Sequence, residues 1–311
     1  MIGLIVNESM KIYSRRLTWI LLAVLVAITI GTAVNGRESI VNQADWRTET
    51  TQLVQKYEER LKITELSPVL RADAENKLKI AKYRLDNELP PPANHPWHAL
   101  LHTSGLIEIV IVLAIIVAAD IVAGEYAAGT MKLLLIRPHS RTGILFSKYI
   151  AVSLFAVVML LLLVACGYAV NALFYGAGSV SATDLFLNRQ GQVIQLNVML
   201  QVVKLYGLSL IPVMSYVTIA FAISTILRNS VLAIGISLFL MIAGNSMIEA
   251  TARFAWLKYL PFANSDISLY IFHLPPRPEM TLSFSLTVLL VYIAALTWIS
   301  WIVFRKRDVS I

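Results

Sequence analysis

Apolar residues gather into six long blocks along this sequence, at 17–35, 101–123, 149–176, 202–227, 231–250 and 282–304. A helix rises about 1.5 Å per residue and needs roughly 20 apolar residues to cross a bilayer core. The blocks therefore predict six transmembrane helices in an all-α polytopic membrane protein, the third and fourth long enough to tilt or to extend beyond the hydrocarbon. Glu108 and Asp120 stand near opposite ends of the second block, and no block carries a charge clearly at its midpoint. Charge inside lipid is costly and marks ion pathways. Its placement at the ends argues against an ion-coupled carrier and puts the energy source outside this chain.

Two further stretches have helical spacing without being long enough, or apolar enough, to span. In residues 1–16 the apolar positions Ile2, Ile5, Val6, Met10 and Tyr13 alternate with Asn7, Glu8, Lys11 and Arg15. This predicts an interfacial amphipathic helix along the inner leaflet that carries Lys11, Arg15 and Arg16 and serves as an anchor or a contact surface. Residues 36–100 form an insertion in which acids and bases balance up to Ala93. One stripe (Trp46, Leu53, Tyr57, Leu61) leads to Ser67–Pro68, and a second (Leu70, Ala74, Leu78, Ala81, Leu85) leads to Pro90–Pro91–Pro92. Serine as N-cap with proline at the first helical position starts a helix, so the expectation is an external helical hairpin. Its mixed charge favours a solvated cap over a ligand-binding domain.

Composition agrees with the pattern: 57% hydrophobic and only 14% charged residues, against about a quarter charged in ordinary domains. The net charge of +7 sits at the ends of the apolar blocks, as the positive-inside rule requires, and not as a footprint for nucleic acid. Lys11, Arg15 and Arg16 precede the first block; Lys132, Arg137, Arg141 and Lys148 separate the second and third; Arg305, Lys306 and Arg307 follow the sixth. Both termini and the 124–148 loop are thus expected in the cytoplasm. No cleavable leader precedes the first block, which is read as a retained anchor. Cys166 lies alone inside the third block, which leaves no disulfide framework and no thiolate metal site.

There is no phosphate-binding G-x-x-x-x-G-K-[ST] loop, no HExxH, no CxxC and no GxSxG. The chain is accordingly not expected to be an enzyme or to hold a cofactor. His95, His98 and His102 cluster before the second block, the last two one helical turn apart. Three imidazoles could hold zinc or copper. With no carboxylate or thiolate at metal spacing, an interfacial belt shared with Trp97 is the preferred reading.

Six spans with both ends inside, an amphipathic first helix, no nucleotide site and an acidic-then-basic loop after the second span resemble the ABC-2 type permeases, the membrane subunits of ATP-binding cassette exporters. The loop pattern of that family is matched by Glu125, Gly129–Thr130, 131–137 (which includes Met131, Lys132 and Arg137), Pro138, Arg141 and Lys148. The resemblance implies that 127–141 is a coupling helix docked on a separate cytoplasmic ATPase, which would bind the ATP and Mg. It further implies that the N-terminal helix completes that contact and that a second permease copy or paralogue encloses the path. The family often has short re-entrant helices in its last external loop, here within 251–281. The implied activity is export across a bacterial cytoplasmic membrane, of an antimicrobial peptide or amphipathic drug, or alternatively of sodium, lipid or polysaccharide. From other classes, a membrane sensor reporting through the same loop, or a metal-dependent membrane enzyme using the His cluster, would carry some of these features.

Overall fold

The computed structural model describes residues 1–36, 45–64, 66–92, 95–130, 140–177, 182–188, 190–277 and 279–306. In chain order the helices are α1 (Ile2–Ser14), α2 (Arg16–Gly36), α3 (Trp46–Leu61), α4 (Pro68–Asp86), α5 (Pro96–His102), α6 (Leu106–Ala127) and α7 (Arg141–Tyr175). Strands β1 (Thr183–Leu187) and β2 (Val193–Asn197) follow, then α8 (Val198–Leu227), α9 (Ser230–Arg253), α10 (Ser268–Ile271) and α11 (Leu282–Lys306). The protein is a mostly helical, polytopic membrane protein. Among the described residues, five helices are long and apolar enough to cross a membrane: α2, α6, α7, α8 and α11. The fifth predicted block lies in α9, of which Ser230–Gly244 is an apolar stretch among the described residues.

Burial ranks these helices. The most apolar windows of α6 and α8 are 72% and 67% buried, against 28% for α2 and 17% for α11. The first two therefore form the centre, while α2 and α11 turn Trp19, Ile20, Val24, Leu290, Val291 and Trp298 outward. Such apolar exposure has no place on a water-soluble surface and suits lipid. Polar stitches hold the centre together. The Ser224 hydroxyl of α8 donates to the Ala119 carbonyl at 2.6 Å and accepts from the Ala123 N–H at 3.0 Å, placing the two helices nearly backbone to backbone. Tyr206 in α8 donates to the Leu100 carbonyl at 3.1 Å, and Tyr149 of α7 meets Thr218 at 2.8 Å.

α3 and α4 pack side by side, bridged by Lys82–Glu58 at 2.7 Å, and Arg47 of α3 reaches Glu88, just past the end of α4, at 3.2 Å. Ser67 caps α4 by accepting from the Leu70 N–H, with Pro68 in the first turn. Two details differ from the sequence expectation. The 177–201 segment, expected as an external loop between the third and fourth blocks, holds a hairpin: β1 and β2 pair antiparallel, Phe186 opposite Ile194, around a turn in which the Asn188 side chain accepts from the Gln190 and Gln192 N–H groups. And α7 begins at Arg141, eight residues before the expected 149, because Ser140 accepts from the Gly143 N–H and starts the helix there.

The last connection folds back as two 3₁₀ turns, Ala255–Tyr259 and Phe262–Asn264, followed by α10. Asn264 is fully buried; it donates to the Lys258 and Leu260 carbonyls and accepts from Ser285 of α11. A Cβ on Gly244 would stand 2.2 Å from the Phe262 Cβ, so α9 meets this segment only because that position has no side chain. Gly244→Ala is expected to destabilise the fold by about 1–3 kcal/mol through overpacking, read as a lower thermal midpoint of the detergent-purified protein.

Candidate functional site

α6 ends in a hydrogen-bonded stop. Gly129 has φ +69, its N–H donates to the Tyr126 carbonyl, and the Thr130 N–H donates to the Glu125 carbonyl, each at 3.1 Å. That pair of bonds is a Schellman motif, which requires a left-handed residue and so favours glycine. The Gly129–Thr130 pair that carries part of the family resemblance is thus also a helix terminator. A Cβ at Gly129 would meet nothing within 4 Å, so Gly129→Ala should cost only the left-handed penalty, roughly 1–2 kcal/mol. Gly129→Asn should cost less, since Asn tolerates that region, and thermal unfolding of the two variants checks the order.

One turn before this stop, Glu125 is buried and enters a closed ring of charges. Lys148 Nζ lies 2.7 Å from both Glu8 and Glu125, and Lys11 Nζ lies 2.7 Å from Glu8 and 2.8 Å from Glu125. Glu8 and Lys11 come from α1 at i, i+3, Glu125 from α6 and Lys148 from α7, so two acids and two bases cancel across three helices. The Lys148 side chain is 0% exposed and that of Glu8 4%, whereas Lys11 keeps 37%. Burial by itself would raise the Glu8 carboxyl, but Lys148 and Lys11 together hold it below the usual carboxylate range. Burial by itself would likewise lower Lys11, and its bonds to Glu125 and Glu8 hold it above its ordinary value.

A second layer sits beside the ring. Arg15, at the break between α1 and α2, pairs with Asp120, which also accepts from Ser230 of α9 at 2.8 Å. The Arg228 guanidinium, at the α8–α9 junction, stacks 4.4 Å from the centre of the Tyr126 ring. At the start of α7, Arg141 donates to the Arg305 carbonyl at the end of α11. The last turns of α6 and the first turns of α7 are therefore held by α1 through the ring and by the ends of α8, α9 and α11 around it.

These placements revise the sequence expectation. Glu125 and Lys148 do not project from an exposed docking loop; they lie inside α6 and α7 and face α1. In α1 the charged face turns inward at Glu8, while Ile2, Val6 and Met10 are exposed. Arg16 opens α2. Met131, Lys132, Arg137 and Pro138 lie outside the described residues. Glu8 stands outside the site residues that the family resemblance implies, although an acid one turn before Lys11 is a sequence signal for an ion pair on that helix.

At the far end of α6 the histidines do not converge. His95 caps α5 by accepting from the His98 N–H, Trp97 packs on Tyr168 with ring centres 4.6 Å apart, and the His98 and His102 rings are 4.9 Å apart. His98 Nε2 instead meets Asp184 of β1 at 2.5 Å, and Asp184 also receives Arg84 of α4 and the Leu185 N–H. No group of three His, Cys, Asp or Glu side chains is arranged to hold a metal among the described residues. Burial would raise the Asp184 carboxyl, but the His98 hydrogen bond and charge, with Arg84 and the Leu185 N–H, hold it below the usual range. Asp184 came from a loop 86 residues away from His98, so spacing along the sequence could not pair them.

Residues 81–310, most of the chain, match the family described as "Protein of unknown function (DUF2705)". The chain belongs to the DUF2705 family. The matched region holds Glu125, Lys148 and Asp184, while Glu8 and Lys11 precede it. The "Uncharacterized protein YhcI" of Bacillus subtilis (strain 168) is 33% identical over 315 residues, covering 100% of both chains. The "Uncharacterized membrane protein YdbK" of the same strain is 26% identical over 220 residues, 68% of this chain and 82% of its own length. The YhcI match extends across the α1 segment that the family match leaves out.

Proposed function

We propose that this DUF2705 chain is the permease subunit of an ABC-2 type exporter in a bacterial cytoplasmic membrane, driven by a separate ATPase. The observation that carries the reading is the Glu8–Lys11–Glu125–Lys148 ring. It fastens the first helix to both arms of the one corner whose sequence resembles a coupling loop. A push on that corner then moves α1, α6 and α7 together, as rigid-body switching requires. Both termini are cytoplasmic in this reading, α9 is a sixth span, and α3–α4 with the β-hairpin form an external cap. Two permeases and two ATPases make up the working unit. The membrane name of YdbK and the exposed apolar faces of α2 and α11 support a bilayer setting.

The test is purification of the tagged chain from its own host, followed by assay of ATP turnover in the co-purified complex. An ATPase should accompany the wild-type chain, and its stimulated turnover should be lost on Arg141→Glu, which reverses charge at the corner without touching the ring. Absence of any ATPase, or unchanged turnover in the variant, would sink the reading.

A further inference from the structure

A cavity of ≈ 570 Å³ lies between the first turns of α8, the α10 segment and the start of α11. Sites for small ligands fall in the range of roughly 300–1,000 Å³. Leu208, Ile271, Met280 and Leu282 supply an apolar wall, and Gln201 and Lys204 of α8 bring polar groups to it. α8 has 30 residues, about 45 Å of helix against a hydrocarbon core of roughly 30 Å. Its ends therefore reach beyond the hydrocarbon, and Lys204, in the second turn, stands near one boundary of the membrane.

Two side chains on this wall have no protein partner among the described residues. Gln201 is only 7% exposed, yet it lines the cavity and its amide makes no hydrogen bond there. A buried amide left unpaired costs free energy and calls for a partner. Lys204 follows one turn later on the same helix face and also lines the cavity, and its ammonium makes no ion pair. Tyr270, by contrast, is engaged. Ser285 donates to the Asn264 side-chain oxygen at 2.6 Å, so the Tyr270 hydroxyl must donate to Ser285. An amide by itself suits a donor or an acceptor, but an ammonium has three donors and no acceptor. The missing partner is therefore an anion whose oxygens accept from both groups. The apolar wall beyond them asks for a hydrocarbon portion behind the anionic head, which a bare inorganic anion lacks.

We propose that this cavity binds the head and first carbons of an amphiphilic anion. Its carboxylate or phosphate oxygens are held by the Lys204 ammonium and the Gln201 amide, and its chain lies against Leu208, Ile271, Met280 and Leu282. The assignment concerns binding by this chain and stands whether or not the chain is an exporter subunit. The head could belong to a soluble amphiphile or to a phospholipid at the membrane boundary, which present the same chemistry.

Titration calorimetry of the full-length chain in maltoside micelles, with octanoate as the probe and empty micelles as the blank, tests it. Saturable binding is expected, weakened about tenfold by Lys204→Met and severalfold by Gln201→Leu, and largely kept by Lys204→Arg. Thermal midpoints confirm that the variants remain folded. Octylammonium, with the same chain and the opposite head, should not compete. Native mass spectrometry of the wild-type chain assigns the source: a retained phospholipid that octanoate displaces identifies the lipid head as occupant, and its absence a soluble amphiphile, either result upholding the site. No saturable octanoate binding to the wild-type chain would overturn the proposal. So would equally tight binding of octylammonium, which would make the cavity a receptor for hydrocarbon alone, or unaltered binding in a folded Lys204→Met protein.

Discussion

Replacing Lys148 by methionine is expected to lower the stability of the protein by about 3–5 kcal/mol, the range for removing one partner of a buried ion pair. Methionine fills much of the same volume, so the loss reports charge and not a cavity. What remains is two carboxylates, with side chains 4% and 10% exposed, facing the single ammonium of Lys11. Lys11→Met should cost much less, on the order of 1 kcal/mol, because water reaches that end of the ring and screens it. Similar losses for the two lysines would contradict a ring whose weight lies on Lys148.

The same variant carries a pH signature. Glu8 is held below its ordinary value of 4.5, so its contribution to wild-type stability is fully present above that value and is lost as pH falls through the lower folded value. Without Lys148 the balance at Glu8 shifts towards burial, and its carboxyl should rise. Protonation then relieves the variant while it weakens the wild type, and the gap between their thermal midpoints should narrow on acidification. A gap independent of pH would show that the lysine acts through packing. Combining Lys148→Met with Glu8→Gln restores one acid to one base, and should recover about 2 kcal/mol relative to the sum of the single changes.

How much of this was legible follows from what each signal depends on. The spanning blocks could be read because bilayer thickness fixes a length that composition must match, and α4 because Ser67–Pro68 is a local start signal. The corner between α6 and α7 was found from its charges, but the charges that matter most were assigned to the wrong side of the surface. Positive-inside counting treats Lys148 as a loop residue. Only the Ser140 cap, which extends α7 back to Arg141, turns it inward towards Glu8, 140 positions earlier. The β-hairpin had a fair local signal in Leu185–Phe186–Leu187, the Asn188 turn and Val193–Ile194, overshadowed by the helical bias of the neighbouring blocks.

Asp184 is the second position at which one substitution should have a large effect. Asp184→Asn keeps the shape but removes the charge that pairs with Arg84 and His98, leaving Arg84, 12% exposed, with the Pro90 carbonyl at 3.1 Å. For a pair this buried the expected loss is about 2–3 kcal/mol, below the fully buried range because some solvent remains. It should fall locally, since Asp184 is what ties β1 to α4 and α5. Amide hydrogen exchange across 183–197 should accelerate by about 30- to 140-fold, tenfold for each 1.4 kcal/mol, while exchange in α6 and α8 stays as in the wild type. Because the Asp184 carboxyl is held below 3.8, the tether is fully present above that value and loosens as pH falls through the folded one. The Asn variant should lose that acid-dependent step and behave at neutral pH as the wild type does in acid. Uniform acceleration across the whole chain would mean that Asp184 supports the global fold and not a separable cap, and the cap could then not move independently of the spans beneath it.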